Sequence, residues 1–204
     1  TIMSDGIDHS FQKNWHKYDM TYGATVGMNY RLKAWKPFGK MRILEGNHFL
    51  DNTFISIAAG GQFQASRLTS EMGLTNSIGP HISLSAGKWL IPAFGLRLSA
   101  FKSADTWHKK VIASSASSAG EEFYEMSAYA GGRLEGMLDA TYFFNGRQLS
   151  PKFSVNVLAG GELGYIQKEN GYRPAKGGYT GFTGGLQFKY RLWGDVSLFA
   201  EPRT

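Results

Sequence analysis

The stretch Thr180–Leu192 (TGFTGGLQFKYRL) indicates the fold class of this chain. Apolar side chains and glycine occupy every second position of it, and the positions between them carry mostly polar or charged side chains: Thr183, Gln187, Lys189 and Arg191. Successive side chains of a β-strand point to opposite faces, so the stretch predicts an amphipathic strand. It is long enough to cross a bilayer, which takes roughly 9–11 residues of tilted strand.

The same alternation recurs along the sequence, while no apolar stripe of helical period competes with it. The predicted strands are Thr21–Lys33, Thr53–Ala65, His81–Leu90, Phe94–Lys102, Phe123–Phe143, Phe153–Tyr165, Thr180–Leu192 and Val196–Arg203. Their polar faces carry full charges, which a transmembrane β-barrel places in its lumen while the apolar faces contact lipid. We therefore predict an all-β chain, an antiparallel transmembrane β-barrel without helices.

Composition agrees with a single barrel domain over residues 1–204. The mean hydropathy of -0.28 is that of a polar chain, as expected when half of each strand is polar. No run of about 18 apolar residues predicts a transmembrane helix. The chain contains no Cys, and its net charge of +6 is spread along the sequence, so we expect no disulfide, no thiolate site and no nucleic-acid partner.

The connections between the predicted strands differ in length. Short ones lie at 91–93, 145–151 and 193–194, and long ones at 66–80, 103–122 and 167–179. Outer-membrane barrels have short periplasmic turns and long external loops. Only the long connection at 34–52 lies on the short-turn side. This order puts both ends of the chain on the external side, so we predict a longer chain whose barrel has ten or more strands.

Two further features fit a curved membrane sheet. Glycine pairs such as Gly60-Gly61 lie inside the predicted strands, where they indicate either strong curvature or simple tolerance of Gly. Aromatic residues cluster near strand ends, as in the aromatic girdles of membrane barrels, although core aromatics of a soluble β protein are the alternative. The girdle candidates are Tyr22, Tyr30, Trp35, Trp89, Trp107, Tyr142, Phe143, Tyr165 and Trp193.

Charged residues of both signs share the predicted inward face. We predict that they form a distributed ion-pair network in the lumen, made by Arg97, Arg133, Glu135, Asp139, Glu162, Lys189 and Arg191. Further charges on inward faces are Arg31, Glu201 and Arg203. A pair of carboxylates such as Glu135 and Asp139 could instead do acid–base chemistry, but a single site would concentrate its charges.

No other pattern indicates catalysis. The five His residues have no metal-ligand spacing among them. His81 shares a face with Ser83 and Ser85, but a histidine at a solvated barrel rim is the favoured interpretation. Glycines near Gly177 do not open a helix, so they predict no phosphate loop. We expect no enzyme activity, no cofactor and no metal.

Three stretches resemble the outer-membrane β-barrel proteins common in Bacteroidota, an OmpA-like or porin-like family. They are FLDNTFIS at 49–56 with the following Gly60-Gly61, GKWLIPAFGLRL at 87–98, and EGMLDATYFF at 135–144. The segment LFAEPR at 198–203 resembles a strand that precedes further strands in longer members. The resemblance implies a location in the cell outer membrane of a Gram-negative bacterium.

The expected function is that of an outer-membrane barrel subunit with a structural or scaffolding role in a membrane protein assembly. Its partners would be the lipid bilayer or lipopolysaccharide and other outer-membrane proteins. A porin that passes small solutes is one alternative, and a wide barrel of 16–18 strands would be needed for an open channel. A soluble ligand-binding β-barrel is the other, and it requires the apolar faces to point inward.

Overall fold

The computed structural model describes residues 2–3, 19–32, 49–65, 78–110, 122–144, 152–168 and 177–204. The elements, in chain order, are β1 (Ile2–Met3), β2 (Asp19–Arg31), β3 (Thr53–Ala65), β4 (Gly79–Ile91), β5 (Phe94–Lys110), β6 (Glu122–Asp139), α1 (Ala140–Phe144), β7 (Phe153–Lys168), β8 (Gly177–Trp193) and β9 (Val196–Arg203). The fold is all-β with almost no helix, as the sequence predicts.

Strands β2 to β9 pair antiparallel with their neighbours in chain order and form a closed barrel of eight strands. Closure comes from β2 and β9, which pair from Gly23↔Arg203 to Tyr30↔Val196. Strand β2 begins, and strand β9 ends, at the end of the barrel that carries the long connections, as the sequence predicts. The prediction of ten or more strands is not confirmed. It requires a further strand beside β9, and in the structure that edge of β9 is hydrogen-bonded to β2.

Strands β3 and β9 have the predicted bounds. Strand β5 continues to Lys110, eight residues beyond the predicted end, because its hairpin partner β6 pairs with it as far as Lys110↔Glu122. Part of the predicted 103–122 loop is therefore strand, since backbone pairing with a neighbour holds polar residues in extended form. The remaining residues of this loop, and most of the predicted 34–52, 66–80 and 167–179 connections, lie outside the described residues.

Two predictions are wrong at the end of β6: the strand does not reach Phe143, and the chain is not without helices. Strand β6 ends at Asp139, and Ala140–Phe144 form the short helix α1. The carboxylate oxygen Oδ1 of Asp139 accepts a hydrogen bond from the Tyr142 backbone N–H at 3.2 Å, which is an N-cap interaction. Within the part of the chain that the structure describes, no helix is long and apolar enough to cross a membrane.

The outer face of the barrel is apolar and the inner face is largely polar. Leu84 and Leu98 are 62% and 61% exposed, whereas Glu135 and Asn156 are 1% and 0% exposed. The residues that the sequence placed outward are exposed, with Val155 half-buried: Leu96, Leu98, Val157, Leu186 and Phe188. The predicted facing of the strands is therefore confirmed at these positions.

Inward aromatic rings lie over glycines of neighbouring strands. Phe54 is directly opposite Gly87, where an added Cβ would lie 2.3 Å from the ring. Tyr179 is opposite Gly164, where an added Cβ would also lie 2.3 Å from the ring. At these two positions glycine makes room for a large side chain in a narrow lumen.

The structure shows which of the girdle candidates are exposed and which are not. Tyr30, Tyr165 and Trp193 are exposed near strand ends, and Phe143 is exposed on helix α1. Trp89 is only 5% exposed and packs inside the barrel with other large side chains: Phe54, Met137 and Leu158. Trp89 lies four positions after the inward Ser85 on β4, and an even separation puts both side chains on the same face of the strand. The side chains of Trp35 and Trp107 lie outside the described part of the chain.

Candidate functional site: the barrel lumen

The lumen collects the inward positions of all eight barrel strands, and its middle is charged. Arg97, Arg133, Glu135 and Glu162 are each 5% exposed or less, so the residues that the sequence placed in a lumen network are buried there. Charges removed from water in this way need partners, because an unpaired buried charge is strongly destabilising. The partners are supplied by neighbouring strands and by β9.

Arg97, Glu135, Glu201 and Arg203 form the central cluster. Arg97 donates from Nε and Nη2 to Oε2 of Glu135, at 2.9 and 2.7 Å. It also donates from Nη1 to Oε2 of Glu201 at 2.8 Å. Arg203 donates to Oε1 of Glu135 at 2.7 Å and pairs with Glu201. Two guanidinium groups and two carboxylates thus alternate, so each charge has two opposite neighbours.

Two amide side chains extend the central cluster along the wall. Gln187 Nε2 donates to Oε2 of Glu201 at 3.0 Å, and Asn156 Nδ2 donates to Oε1 of Gln187 at 2.8 Å. Because a carboxylate only accepts, Glu201 fixes the orientation of the Gln187 amide, and that amide fixes the orientation of Asn156. The hydrogen bonds therefore have a defined direction over three strands.

Arg133 and Glu162 make a second buried ion pair. They are directly opposite each other on β6 and β7, and Arg133 donates from Nε to Oε2 of Glu162 at 2.9 Å. The Arg133 guanidinium carbon lies 4.6 Å from the ring centroid of Phe101, a distance suited to a cation–π contact. The ring covers the side of the pair that faces the long-connection end.

Three residues of the predicted network lie nearer the short-turn end. Asp139 is buried and caps helix α1 through Tyr142. The ammonium group of Lys189 lies 5.5 Å from the ring centroid of Trp89. Arg191 follows Lys189 on the same face of β8, four residues or about 13 Å beyond Gln187. The structure thus brings Arg97 and Glu135 together, and Arg133 and Glu162, while these three lie apart from the central cluster.

The sequence placed Glu201 and Arg203 inward but did not assign them to the network. Arg97 and Glu135 are opposite each other on adjacent strands, as are Arg133 and Glu162, so a hairpin register finds both pairs. Glu201 reaches Arg97 across 104 positions of sequence, which no local register shows. The inward placement of Glu201 could have indicated this contact only if the barrel had also been closed at eight strands.

His81 takes part in a polar cluster near the long-connection end. Its Nδ1 lies 3.1 Å from Oε1 of Gln62 and contacts Oγ of Ser103, which itself donates to Gln62 at 3.1 Å. The imidazole stacks on Phe101 with 5.7 Å between ring centroids. The predicted neighbours on its own strand, Ser83 and Ser85, are not part of this cluster. His81 is 4% exposed, so it is buried rather than at a solvated rim.

Packed side chains lie on both sides of the charged middle. Phe101, Tyr129 and Tyr179 form a cluster with edge-to-face ring contacts on one side, and the Trp89 cluster lies on the other. A lumen cavity between His81, Arg133 and Arg203 measures about 20 Å³, room for about one water molecule. No group of three or more His, Cys, Asp or Glu that could hold a metal occurs within the described ranges.

Comparisons of the chain with protein-family models, with curated proteins and with solved structures found no match. The resemblance to the Bacteroidota barrels therefore stays a prediction that depends on the stretches quoted above.

Proposed function

We propose that this chain is an outer-membrane β-barrel subunit with a structural or scaffolding role in a membrane protein assembly. The observation that carries the proposal is the distribution of exposed and buried side chains over the barrel wall. Large apolar residues are exposed on the outside, and ion pairs are buried inside. This is the reverse of a soluble barrel and matches a wall surrounded by lipid.

The uncharged outward face of β7 is long enough to span a bilayer at the tilt usual for membrane barrels. On β7, the outward positions from Phe153 to Tyr165 carry no charge, and the exposed Lys152 precedes them. Twelve steps of about 3.3 Å, tilted by about 40°, give a height of roughly 30 Å. At the short-turn end, the ammonium group of Lys88 lies 4.9 Å from the Phe49 ring centroid and donates to the Phe49 carbonyl oxygen.

The filled lumen favours a structural role over the porin alternative. An eight-stranded barrel has an interior that side chains can fill, whereas barrels with 16–18 strands leave an aqueous channel. Here the pair Arg97 and Glu201 connects β5 with β9 across the lumen, and aromatic clusters lie on both sides of it. In planar bilayers we expect the purified protein to give no stepwise conductance, and regular steps would support the porin instead.

The soluble ligand-binding alternative requires an apolar lumen. The lumen of the described strands holds five buried charged residues and the half-buried Arg203, which pair with one another: Arg97, Arg133, Glu135, Glu162, Glu201 and Arg203. A lumen whose middle is filled by ion pairs is the opposite of the apolar interior that this alternative requires, which disfavours it.

One substitution separates a membrane barrel from a soluble one. In a bilayer, Leu98→Arg near mid-belt should lower the free energy of unfolding by about 2–4 kcal/mol, and Tyr190→Arg at the belt edge by about 0–1 kcal/mol. In a soluble protein, an arginine at a site that is 61% exposed should change stability by less than about 0.5 kcal/mol. Denaturant titration in lipid vesicles measures the difference, and equal small effects would contradict the membrane proposal.

A scaffolding role has its own test. Mild detergent extraction of outer membranes followed by native electrophoresis should place the protein in a complex larger than its own monomer with bound detergent. Migration as a monomer under several mild detergents would leave a membrane barrel without the proposed assembly role.

A further inference from the structure

The net positive charge of the chain belongs to the short-turn end of the barrel. Ten basic and four acidic residues belong to the strand ends there and to the connections that join them, at 31–53, 88–94, 139–153 and 189–196. The six paired charges in the middle of the lumen, three of each sign, cancel. All other parts of the chain carry nine charges of each sign. The excess at the short-turn end therefore equals the net charge of +6.

Three of these basic residues face the mouth of the lumen at that end. Arg31 ends β2 two positions after the inward Asn29, and Lys189 and Arg191 follow the inward Gln187 on β8 at even separations. An even separation keeps side chains on one face of a strand, so all three point inward. The charges of Arg31 and Lys189 each interact with that of Arg191. We call this group of three residues the cationic mouth.

The cationic mouth differs from the central cluster in its supply of carboxylates. Within the part of the chain that the structure describes, the short-turn end holds five basic and three acidic residues. Arg31 pairs with Asp195 across 3.9 Å at an exposed site, and exposed ion pairs are weak. The carboxylate that interacts with Lys189 is Asp139, which also caps helix α1. Cations held close together repel one another, so an added anion binds favourably among them.

Two buried polar groups beside the cationic mouth fit a peptide better than a simple anion. Ser154 is directly opposite Lys189, and Asn156 is opposite Gln187. Both are 2% exposed or less, yet the Ser154 hydroxyl and Oδ1 of Asn156 have no hydrogen-bond partner among the described residues. Buried polar atoms without a partner are rare in proteins. The hydroxyl can donate to a carboxylate, and Oδ1 can accept from a backbone N–H, whereas a simple anion offers only acceptors.

The direction of the cationic mouth favours a protein partner over a lipid. The side chain of Arg31 is 18% exposed, and Lys189 and Arg191 are half-buried, because the barrel wall surrounds them. Lipid headgroups lie around the outside of a membrane barrel, whereas these side chains are reached along its axis. An extended peptide segment is narrow enough to approach from that end.

We propose that the cationic mouth is a docking site for an acidic segment of a partner protein. Aspartate or glutamate side chains of the segment bind Arg31, Lys189 and Arg191, and its remaining polar groups bind Ser154 and Asn156. The site gives the partner chemistry of the assembly proposed above and rests on that scaffolding role. The segment approaches along the barrel axis, so the outer wall stays in contact with lipid.

Peptide binding to the purified full chain tests the proposal. In a zwitterionic detergent, the protein should bind a fluorescent oligoglutamate peptide about tenfold more tightly than an oligoglutamine peptide of equal length. The affinity for oligoglutamate should fall as the salt concentration rises, because salt screens accessible charges. Equal affinities for the two peptides, measured by fluorescence anisotropy, would overturn the proposal.

Substitutions locate the binding site. Arg191→Gln should weaken oligoglutamate binding about tenfold, because a hydrogen bond between charged groups is lost, and Arg191→Lys should retain most of the affinity. Lys102→Gln is the matched control, since it removes an exposed charge from β5 away from the mouth, and it should leave binding unchanged. Denaturant midpoints show whether each variant folds, and Lys189→Gln replaces Arg191→Gln if that variant does not. Equal losses in the mouth variant and in Lys102→Gln would overturn the proposal.

Anionic lipid is the competing occupant of the cationic mouth. A combined Arg31→Gln and Arg191→Gln variant should lose oligoglutamate binding and keep the amount of phosphatidylglycerol that copurifies from mixed vesicles. The reverse result, less lipid and unchanged peptide binding, would assign the residues to lipid headgroups and overturn the proposal.

Native electrophoresis tests the scaffolding role separately. A protein that migrates in a larger complex and does not bind oligoglutamate would refute the acidic partner alone. A monomer that binds oligoglutamate through the cationic mouth would support the docking site and refute the assembly role.

Discussion

Arg97 and Glu201 are hydrogen-bonded at 2.8 Å in the middle of the lumen, although 104 positions of sequence separate them. Arg97 lies on β5 and Glu201 on β9, so the bond connects strands that are not neighbours in the wall. Glu135 and Arg203 complete the cluster around it. The lumen is therefore held by contacts across the barrel as well as by hydrogen bonds along its wall.

Neutralising Glu135 should destabilise the barrel strongly. Glu135→Gln removes the carboxylate that accepts from both Arg97 and Arg203, and it leaves buried positive charge uncompensated. Breaking a buried ion pair from one side costs about 3–5 kcal/mol, which denaturant unfolding should detect. The exposed Lys152→Gln is the control and should change stability by less than about 0.5 kcal/mol. A loss below 1 kcal/mol for Glu135→Gln would contradict the cluster.

Arg133 and Glu162 should couple more strongly to each other than Glu162 couples to Gln187 of the central cluster. A double-mutant cycle between Arg133→Met and Glu162→Gln should give a coupling energy within about 0.5–3 kcal/mol, because these side chains are in direct contact. A cycle between Glu162→Gln and Gln187→Leu joins residues without a shared partner and should give less than about 0.5 kcal/mol. Similar coupling in both cycles would indicate one continuous network, as the sequence predicted.

Glycine opposite an inward ring should not tolerate a methyl group. Gly164→Ala would place a Cβ 2.3 Å from the Tyr179 ring and should cost about 1–3 kcal/mol, as overpacking does. Gly184→Ala is the matched control, because the nearest atom to its added Cβ is 3.8 Å away. Thermal or denaturant unfolding of both variants measures the contrast. Equal stability of the two alanine variants would show that the ring moves aside freely.

The cap of helix α1 should contribute modestly to stability. Asp139→Ala removes the acceptor of the Tyr142 backbone N–H and should cost about 0.5–2 kcal/mol. Asp139→Asn keeps an oxygen acceptor at the same place and should retain most of that stability. If Asp139→Asn lowered stability as much as Asp139→Ala, Asp139 would stabilise the barrel through its charge in the lumen and not through the helix cap.

The two ends of the barrel should lie on opposite sides of the membrane. Strand ends Lys110 and Glu122 flank one long connection, and Lys152 is exposed at the other end of the barrel. A membrane-impermeant thiol reagent added to intact cells should label Ser115→Cys and leave Lys152→Cys unlabelled until the cells are lysed. The reverse pattern would invert the predicted orientation while keeping the barrel in the membrane.

Alternation of side chains determined the strands and their facing, because the period of two is a property of each strand by itself. It was sufficient for the bounds of β3 and β9 and for the burial of Arg97 and Glu162. The sequence analysis assigned Trp89 to the aromatic girdle, and this was wrong, because Trp89 shares the inward parity of Ser85 and is buried in the lumen. Local hairpin register gives the Arg97 to Glu135 and Arg133 to Glu162 pairs.

Only the tertiary structure decided where the sheet closes. Closure depends on twist and register accumulated over all strands, and no single segment carries that sum. It brought Glu201 and Arg203 of β9 to Arg97 and Glu135. The sequence by itself therefore determined which residues face the lumen, and the closed sheet determined which of them are partners, because partners across a barrel depend on strands distant in sequence.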